Sequence, residues 1–250
     1  MQGEELPATQ ISPNGIEGDR LFMVTDESGR FITQRELPKL SLFNASWTKD
    51  RLKITYRPDN DPFILDMNSF ETESIEVSIW KRKHLALCMK STVNQWLSDR
   101  MHHKVQLVKT SVQQGYNRKR IQDTSVLRIN FPDGYPILIL GTESLNDLNN
   151  KLSEPVGWDR FRPNIVIGTA YPFQEDDMET LNSEKLSMKM VKPCPRCQIV
   201  ATDQEKGILG KEPLATLSKF RRMGNNVYFG MYAYTKDQGV IKTGERLAHM

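Results

Sequence analysis

In the first third of the chain, apolar and polar residues alternate in short runs. LFMVTD (21–26), the turn ESG and RFITQ (30–34) predict a β-hairpin. Two β-prone runs flank a tight turn in which Gly29 can take the positive φ required. SLFNASWT, RLKITYR, PFILDM, SIEVSIW and KHLALCMK follow, separated by Asp, Asn, Pro or charged residues. Short strands spaced roughly ten residues apart predict a barrel or sandwich. The period then lengthens. In STVNQWLSDRM (91–101), Val93, Trp96 and Leu97 share a helical face, and Ser91 is placed to cap the free amides.

Beyond residue 104 the pattern is mixed. KVQLVKT, YPILIL, PNIVIG, KLSMKM, CQIVAT, NVYFGMYAYT and GVIKTG predict strands, and SVQQGYNRKRIQDTS (111–125) predicts a long loop. TESLNDLNNKL predicts a helix capped by Thr142, with Leu145, Leu148 and Leu152 in register. PLATLSKFRRM (213–223) predicts another, with Pro213 in its opening turn. These elements predict a β-rich α+β chain with a few peripheral helices, built as two sub-barrels joined near residues 100–110.

Composition narrows the class. The chain has 250 residues, 38% of them hydrophobic and 26% charged, as in ordinary globular proteins that bury a core. There is no apolar stretch of about 18 residues, so no spanning helix is expected. MQGEELPATQISPNG does not read as a secretory signal. A reducing, cytoplasmic setting is therefore expected, and the three cysteines, an odd number, fit it. The net charge of +3 suits a pocket for a small anion better than a nucleic-acid backbone.

KPCPRCQIVATDQEKG (192–207) brings two cysteines within three positions. Several roles are open. Structural zinc would need further ligands, and the four histidines offer no pair at finger spacing. A reactive dithiol would sit at a helix start, whereas QIVAT reads as a strand. Both cysteines could instead be packed as small hydrophobes. The flanking Lys192 and Arg196 favour a thiolate, and Pro193 and Pro195 stiffen the loop. One thiolate beside an anion-binding Arg suits a metal cofactor that carries its own phosphate and most of its own ligands. RFRPN (160–164) places Arg162 and Asn164 before an apolar strand, and FITQRELP (31–38) places Thr33, Gln34 and Arg35 at the hairpin's end. Each group can donate to a phosphate.

GDRLFMVTDESGRFITQRELPKL, FPDGYPILILGTESLNDLN, FRPNIVI, KPCPRCQIVATDQEKG, EPLATLSKFR and NVYFGMYA…GVIKTGE, in this order, resemble the MOSC-domain family, named for the C-terminal domain of molybdenum cofactor sulfurase. The similarity is to the branch with an N-terminal β-barrel domain, which includes the mitochondrial amidoxime-reducing component and its bacterial relatives. The resemblance implies a MOSC-type β-barrel over 110–250 and a MOSC-associated β domain over 1–109. It also implies a pyranopterin molybdenum cofactor whose metal is ligated by Cys197, leaving Cys194 to packing. Arg196 and the backbone at Pro195 would hold the pterin phosphate together with Arg162 and Asn164. Thr33, Gln34 and Arg35 fall on the family's cofactor-contacting stretch. Tyr232 matches a tyrosine near the metal and Asp203 an acidic residue just beyond the cysteine loop, with Asp203, or a water held near it, as candidate proton donor. The implied reaction removes oxygen from nitrogen in amidoximes, hydroxylamines and N-hydroxylated bases.

Two departures qualify the resemblance. The family opens with a strand ending in a P-V-K-S-like segment whose Lys binds the phosphate. MQGEELP would align just after it, so a missing first strand and weaker cofactor binding are expected. Bacterial members often carry a C-terminal ferredoxin-like domain, whereas this chain stops at GERLAHM. Electrons are therefore expected from a separate flavin or iron–sulfur reductase, with no membrane partner. One alternative is a module that carries cofactor or sulfur on Cys197 without turnover. Another, RNA binding through NRKR (117–120), lacks interleaved aromatic residues and is disfavoured.

Overall fold

The computed structural model describes every residue except 68–72, 81, 111–115, 120–125 and 132–133, and at 82, 116–119 and 126–129 the backbone alone. The β-rich α+β architecture holds. The chain forms two compact units: Met1–Glu4, Gly18–Phe131 and Gln204–Ile208 in the first, Glu5–Glu17, Pro132–Asp203 and Leu209–Met250 in the second.

The first unit contains a five-stranded antiparallel sheet in the order Phe31–Ile32, Phe22–Thr25, Gln106–Thr110, Arg82–Cys88, Glu73–Ile79. A three-stranded meander, Phe43–Trp47, Arg51–Tyr56 and Asp61–Asp66, accompanies it. In RLKITY, alternation sends Leu52 and Ile54 inward and leaves Arg51 and Lys53 exposed. Helix α1 (Ser91–Met101) buries Val93, Leu97 and Met101 in the same core as Leu52, Ile54 and Leu107. Each such apolar side chain contributes about 1.5–3 kcal/mol on burial.

The predicted hairpin is present, with Val24 opposite Ile32. Its Gly29 has φ +79°, and a Cβ there would lie 2.3 Å from the Glu76 carbonyl oxygen. Gly29→Ala is expected to destabilise the first unit by about 1–3 kcal/mol. A urea melt unchanged from wild type would contradict this.

Three sequence readings change in detail. Lys90, not Ser91, is the N-cap of α1, and it makes no side-chain cap bond. Within SVQQGYNRKRIQDTS, Tyr116–Lys119 forms a strand paired antiparallel with Val126–Ile129, while 111–115 and 120–125 lie outside the described residues. PLATLSKFRRM is helical only over α3 (Leu214–Phe220), because Arg222–Met223 turns back to pair with Val227 and Asn226.

The second unit is organised by a seven-stranded sheet. Its main path is Ile165–Ile167, Ile137–Gly141, Asn226–Thr235, Ser187–Arg196, Thr180–Asn182 and Ala248–His249, with Arg222–Met223 paired at the side. Ile137–Gly141 is buried throughout, as expected of a strand covered on both faces. Ile137 and Ile139 pack with Met188, Met231 and Ala233, while Leu140 packs with Leu148, Phe161 and Phe229. Helix α2 (Thr142–Asn149) follows that strand, and the chain returns as Ile165–Ile167, parallel to it. Thr142 does not cap α2. Gly141 occupies the cap position, and the fully buried Glu175 carboxylate accepts Gly141 N–H (3.1 Å) and Ser144 Oγ–H (2.7 Å). Leu152 lies beyond the helix end yet still packs on its core.

Candidate functional site at Cys197

The strand Ser187–Arg196 runs through the cysteine motif itself, so Cys194 is a strand residue and Cys197 lies just beyond. CQIVAT, predicted as a strand, is instead a short 3-10 turn (Gln198–Ala201) followed by Thr202–Asp203. Val200 and Ala201 are both buried, Val200 in the core with Phe161 and Phe229. That burial outweighs their β propensity. The prolines fit a strand because pairing with Thr180–Asn182 covers only Ser187–Lys189, leaving one side open where Pro193 and Pro195 lie.

On the other side, pairing with Asn226–Thr235 is interrupted by two bulges. The second sets Phe229 and Gly230 opposite the single residue Cys194. Gly230 has φ +73°, and a Cβ there would lie 2.7 Å from Ile139 O and 3.5 Å from Arg196 Nη2. Bulges of this kind re-aim side chains at strand ends.

Cys194 is buried, its thiol donating weakly to Pro195 O at 3.7 Å. Cys197 is half-buried, and all three cysteines are free of disulfides. Burial pushes the Cys88 thiol of the first unit above its ordinary value, despite the Asn94 amide nearby. Among the described residues, no three His, Cys, Asp or Glu side chains converge to hold a bare metal ion.

Arg196 spends two donors on backbone. Nε donates to Phe229 O (2.8 Å) and Nη1 to Phe161 O (3.1 Å), while the guanidinium lies 5.6 Å from the Phe161 ring. Its Nη2 is buried and has no hydrogen-bond partner among the described residues. The next residue after Phe161, Arg162, is exposed with φ +55°, a conformation uncommon outside glycine. Asn164 clamps Leu138: its N–H donates to Leu138 O (2.8 Å) and its Oδ1 accepts Leu138 N–H (3.0 Å). Those bonds set the parallel register of Ile165 on Ile139.

Arg160, not among the predicted site residues, reaches the Cys197 turn. Its Nε donates to Val200 O (2.9 Å) and its Nη2 to Glu212 O (2.7 Å). Burial holds its pKa below the ordinary guanidinium value, while the charges of Asp159 and Asp203 oppose that shift. Tyr232 stands opposite Lys192 and packs on Tyr135 at 5.7 Å between ring centroids.

The remaining predicted residues belong to the first unit, and each has a partner there. Thr33 N–H (3.0 Å) and Oγ1–H (3.3 Å) donate to Glu36 Oε2, and Arg30 donates to Oε1 (2.7 Å). Gln34 is buried and pairs amide to amide with Gln204 at 3.2 and 3.4 Å. The Arg35 guanidinium lies 4.7 Å from the Trp80 ring centroid. Burial alone would raise Glu36, but the Thr33 and Arg30 bonds outweigh it and hold the carboxyl below its ordinary 4.5. The contribution of this turn to stability is therefore complete above pH 4.5 and is lost as pH falls through the depressed folded value. An NMR titration of the Thr33 amide should show a midpoint below 4.5; one at or above it would contradict the geometry.

Residues 126–248 match the family model for the MOSC domain, and residues 1–104 match that for the MOSC N-terminal beta barrel domain. The chain belongs to the MOSC-domain family. Curated relatives of this MOSC chain include a rat protein named mitochondrial amidoxime reducing component 2, 28% identical over 93% of the chain and 73% of the relative. Human mitochondrial amidoxime-reducing component 1 is 28% identical over 91% of the chain and 71% of its own length. The molybdenum cofactor sulfurase of rice is 27% identical over 94% of the chain, which spans only 31% of the sulfurase.

The residues of the MOSC unit fit a phosphate-bearing molybdenum cofactor. The half-buried, unbridged Cys197 directly follows Arg196, whose Nη2 is buried and has no acceptor among the described residues. A phosphate oxygen would answer that unpaired donor. What the sequence reading missed here was Arg160 and Gly230. The first Arg of R-F-R-P-N and a glycine inside an apolar strand run were the available signals.

Proposed function

We propose that this chain binds a pyranopterin molybdenum cofactor and reduces N-hydroxylated compounds such as amidoximes, hydroxylamines and N-hydroxylated bases. Electrons would come from a separate flavin or iron–sulfur reductase. One observation carries the reading: the half-buried, unbridged Cys197 directly follows Arg196, whose buried Nη2 has no acceptor among the described residues. When bound, the cofactor would supply two-electron oxygen-atom chemistry at its metal.

The chain's own part is positioning and proton supply. Cys197 would ligate the metal as a thiolate. Arg196 Nη2, the exposed Arg162 and the backbone around Pro195 would hold the phosphate, and Asn164 would keep the loop in place through Leu138. Converting N–OH to N–H consumes two electrons and two protons and releases water. Asp203, or a water beside it, is the group proposed to hold a proton at its carboxylate. Tyr232, braced by Tyr135, is proposed to face the substrate.

The second reading is a carrier that holds cofactor or sulfur on Cys197 and passes it on, favoured by the similarity to cofactor sulfurases. Metal and pterin analysis of chain made in a cofactor-competent host, with a benzamidoxime assay and an artificial electron donor, separates them. Near-stoichiometric molybdenum with turnover supports the reductase. Substoichiometric, labile metal without turnover supports the carrier.

A further inference from the structure

The guanidinium of Arg160 has no part in holding the cofactor as proposed, yet its donors serve two separate segments. Nε serves Val200 O at 2.9 Å and Nη2 serves Glu212 O at 2.7 Å. The Val200 carbonyl belongs to the four-residue turn for which Cys197 is the cap. In that turn Ile199 O accepts the Thr202 N–H and Ala201 O accepts the Gly210 N–H (2.8 Å), while Val200 O accepts the Arg160 guanidinium.

Arg196 reaches the opposite way. Its Nη1 donates to Phe161 O at 3.1 Å, the residue next to Arg160. The two side chains therefore tie the same two segments in opposite directions. One leaves the R-F-R-P-N segment for the cysteine turn, and the other leaves the cysteine strand for R-F-R-P-N. Arg196 fastens the carbonyl next to Arg160, and Arg160 fastens the turn that follows Arg196. Asp203, at the far end of the turn, lies within range of the Arg160 charge, as does Asp159.

We infer that Arg160 is a positioning residue, which sets the orientation of the Cys197 sulfur by gripping the Val200 carbonyl. A planar fork can serve two carbonyls at a fixed angle, whereas the ammonium of a lysine cannot reproduce that geometry. The consequence for catalysis rests on reading Cys197 as a metal ligand; the orientation of the turn does not.

The test compares wild type, Arg160→Lys and Arg160→Gln in two states. In cofactor-free chain, iodoacetamide labelling of each cysteine is followed by peptide mass spectrometry. The Cys197 rate should change about tenfold in Arg160→Gln and less in Arg160→Lys, with Cys88 and Cys194 unaltered. In cofactor-loaded chain, kcat should fall about 10–100-fold, the range usual for groups that orient a metal ligand. KM should hold, and Arg160→Lys should recover part of kcat. If Arg160→Gln does not fold, Arg160→Lys carries the same comparison. Unchanged Cys197 labelling overturns the inference, and so does equal acceleration of all three cysteines, which signals general loosening. Altered Cys197 labelling in a chain that never turns over would uphold the positioning and remove the reductase reading.

Discussion

Cys197→Ala, made in a cofactor-competent host, is expected to purify without molybdenum and to reduce no benzamidoxime, while Cys194→Ala keeps most of its metal. The contrast comes from where the chain puts the two sulfurs. Cys197 is half-buried just past the strand, and Cys194 is 3% exposed within it. Among the described residues no group of three or more His, Cys, Asp or Glu side chains is present to hold the metal in its place. Loss should therefore exceed the roughly hundredfold effect of removing an outer-shell partner. Truncating Cys194 instead leaves a small void, costing about 1–2 kcal/mol of stability and little else. Metal content by mass spectrometry, read beside a thermal melt, decides the matter. Equal metal loss in both variants would point to a dithiol or zinc site, and full metal in Cys197→Ala would end the proposal.

Arg196→Gln should be costly even without cofactor. The native guanidinium satisfies the Phe161 and Phe229 carbonyls and packs on the Phe161 ring. Gln is shorter and has a single amide group to offer. Losing charged hydrogen bonds to two carbonyls predicts about 3 kcal/mol of destabilisation. Arg196→Lys keeps the charge but not the fork, so it should recover only part of that stability and less of the metal. Urea denaturation of cofactor-free chain gives the first quantity and metal analysis the second. If Arg196→Gln melts like wild type, the two carbonyl bonds contribute nothing and the fork is not what orders this loop. The same loop depends on Gly230, which has φ +73° and where a Cβ would lie only 2.7 Å from Ile139 O.

Much of this arrangement was legible in the residues. Alternation in RLKITYR and the turn at Gly29 announced the hairpins of the first unit, since a period of two and a positive φ are local properties. The joint presence of FRPN and C-x-R-C pointed to an anion-holding thiolate site. Both segments lie in the second unit, tied by the bond from Arg196 to Phe161 O. Less legible was anything settled by distant partners. Ser91 and Thr142 looked like caps, yet α2 is served by Glu175, 34 residues from the Gly141 amide it accepts. QIVAT read as a strand because its residues favour one, but core burial bends it into the turn that presents Cys197.

The sequence by itself determined the strand-rich class, the family and the residue types able to ligate a metal and hold a phosphate. The class follows from periodicity, the residue types from side-chain chemistry and the family from the resemblance of its motifs, none of which needs knowledge of distant neighbours. Only the tertiary structure decided that Cys194 is buried while Cys197 is half-buried, and that two arginines tie the motifs together. Burial and backbone hydrogen bonds between segments some 40 residues apart arise only when the chain closes on itself, and no local pattern encodes them.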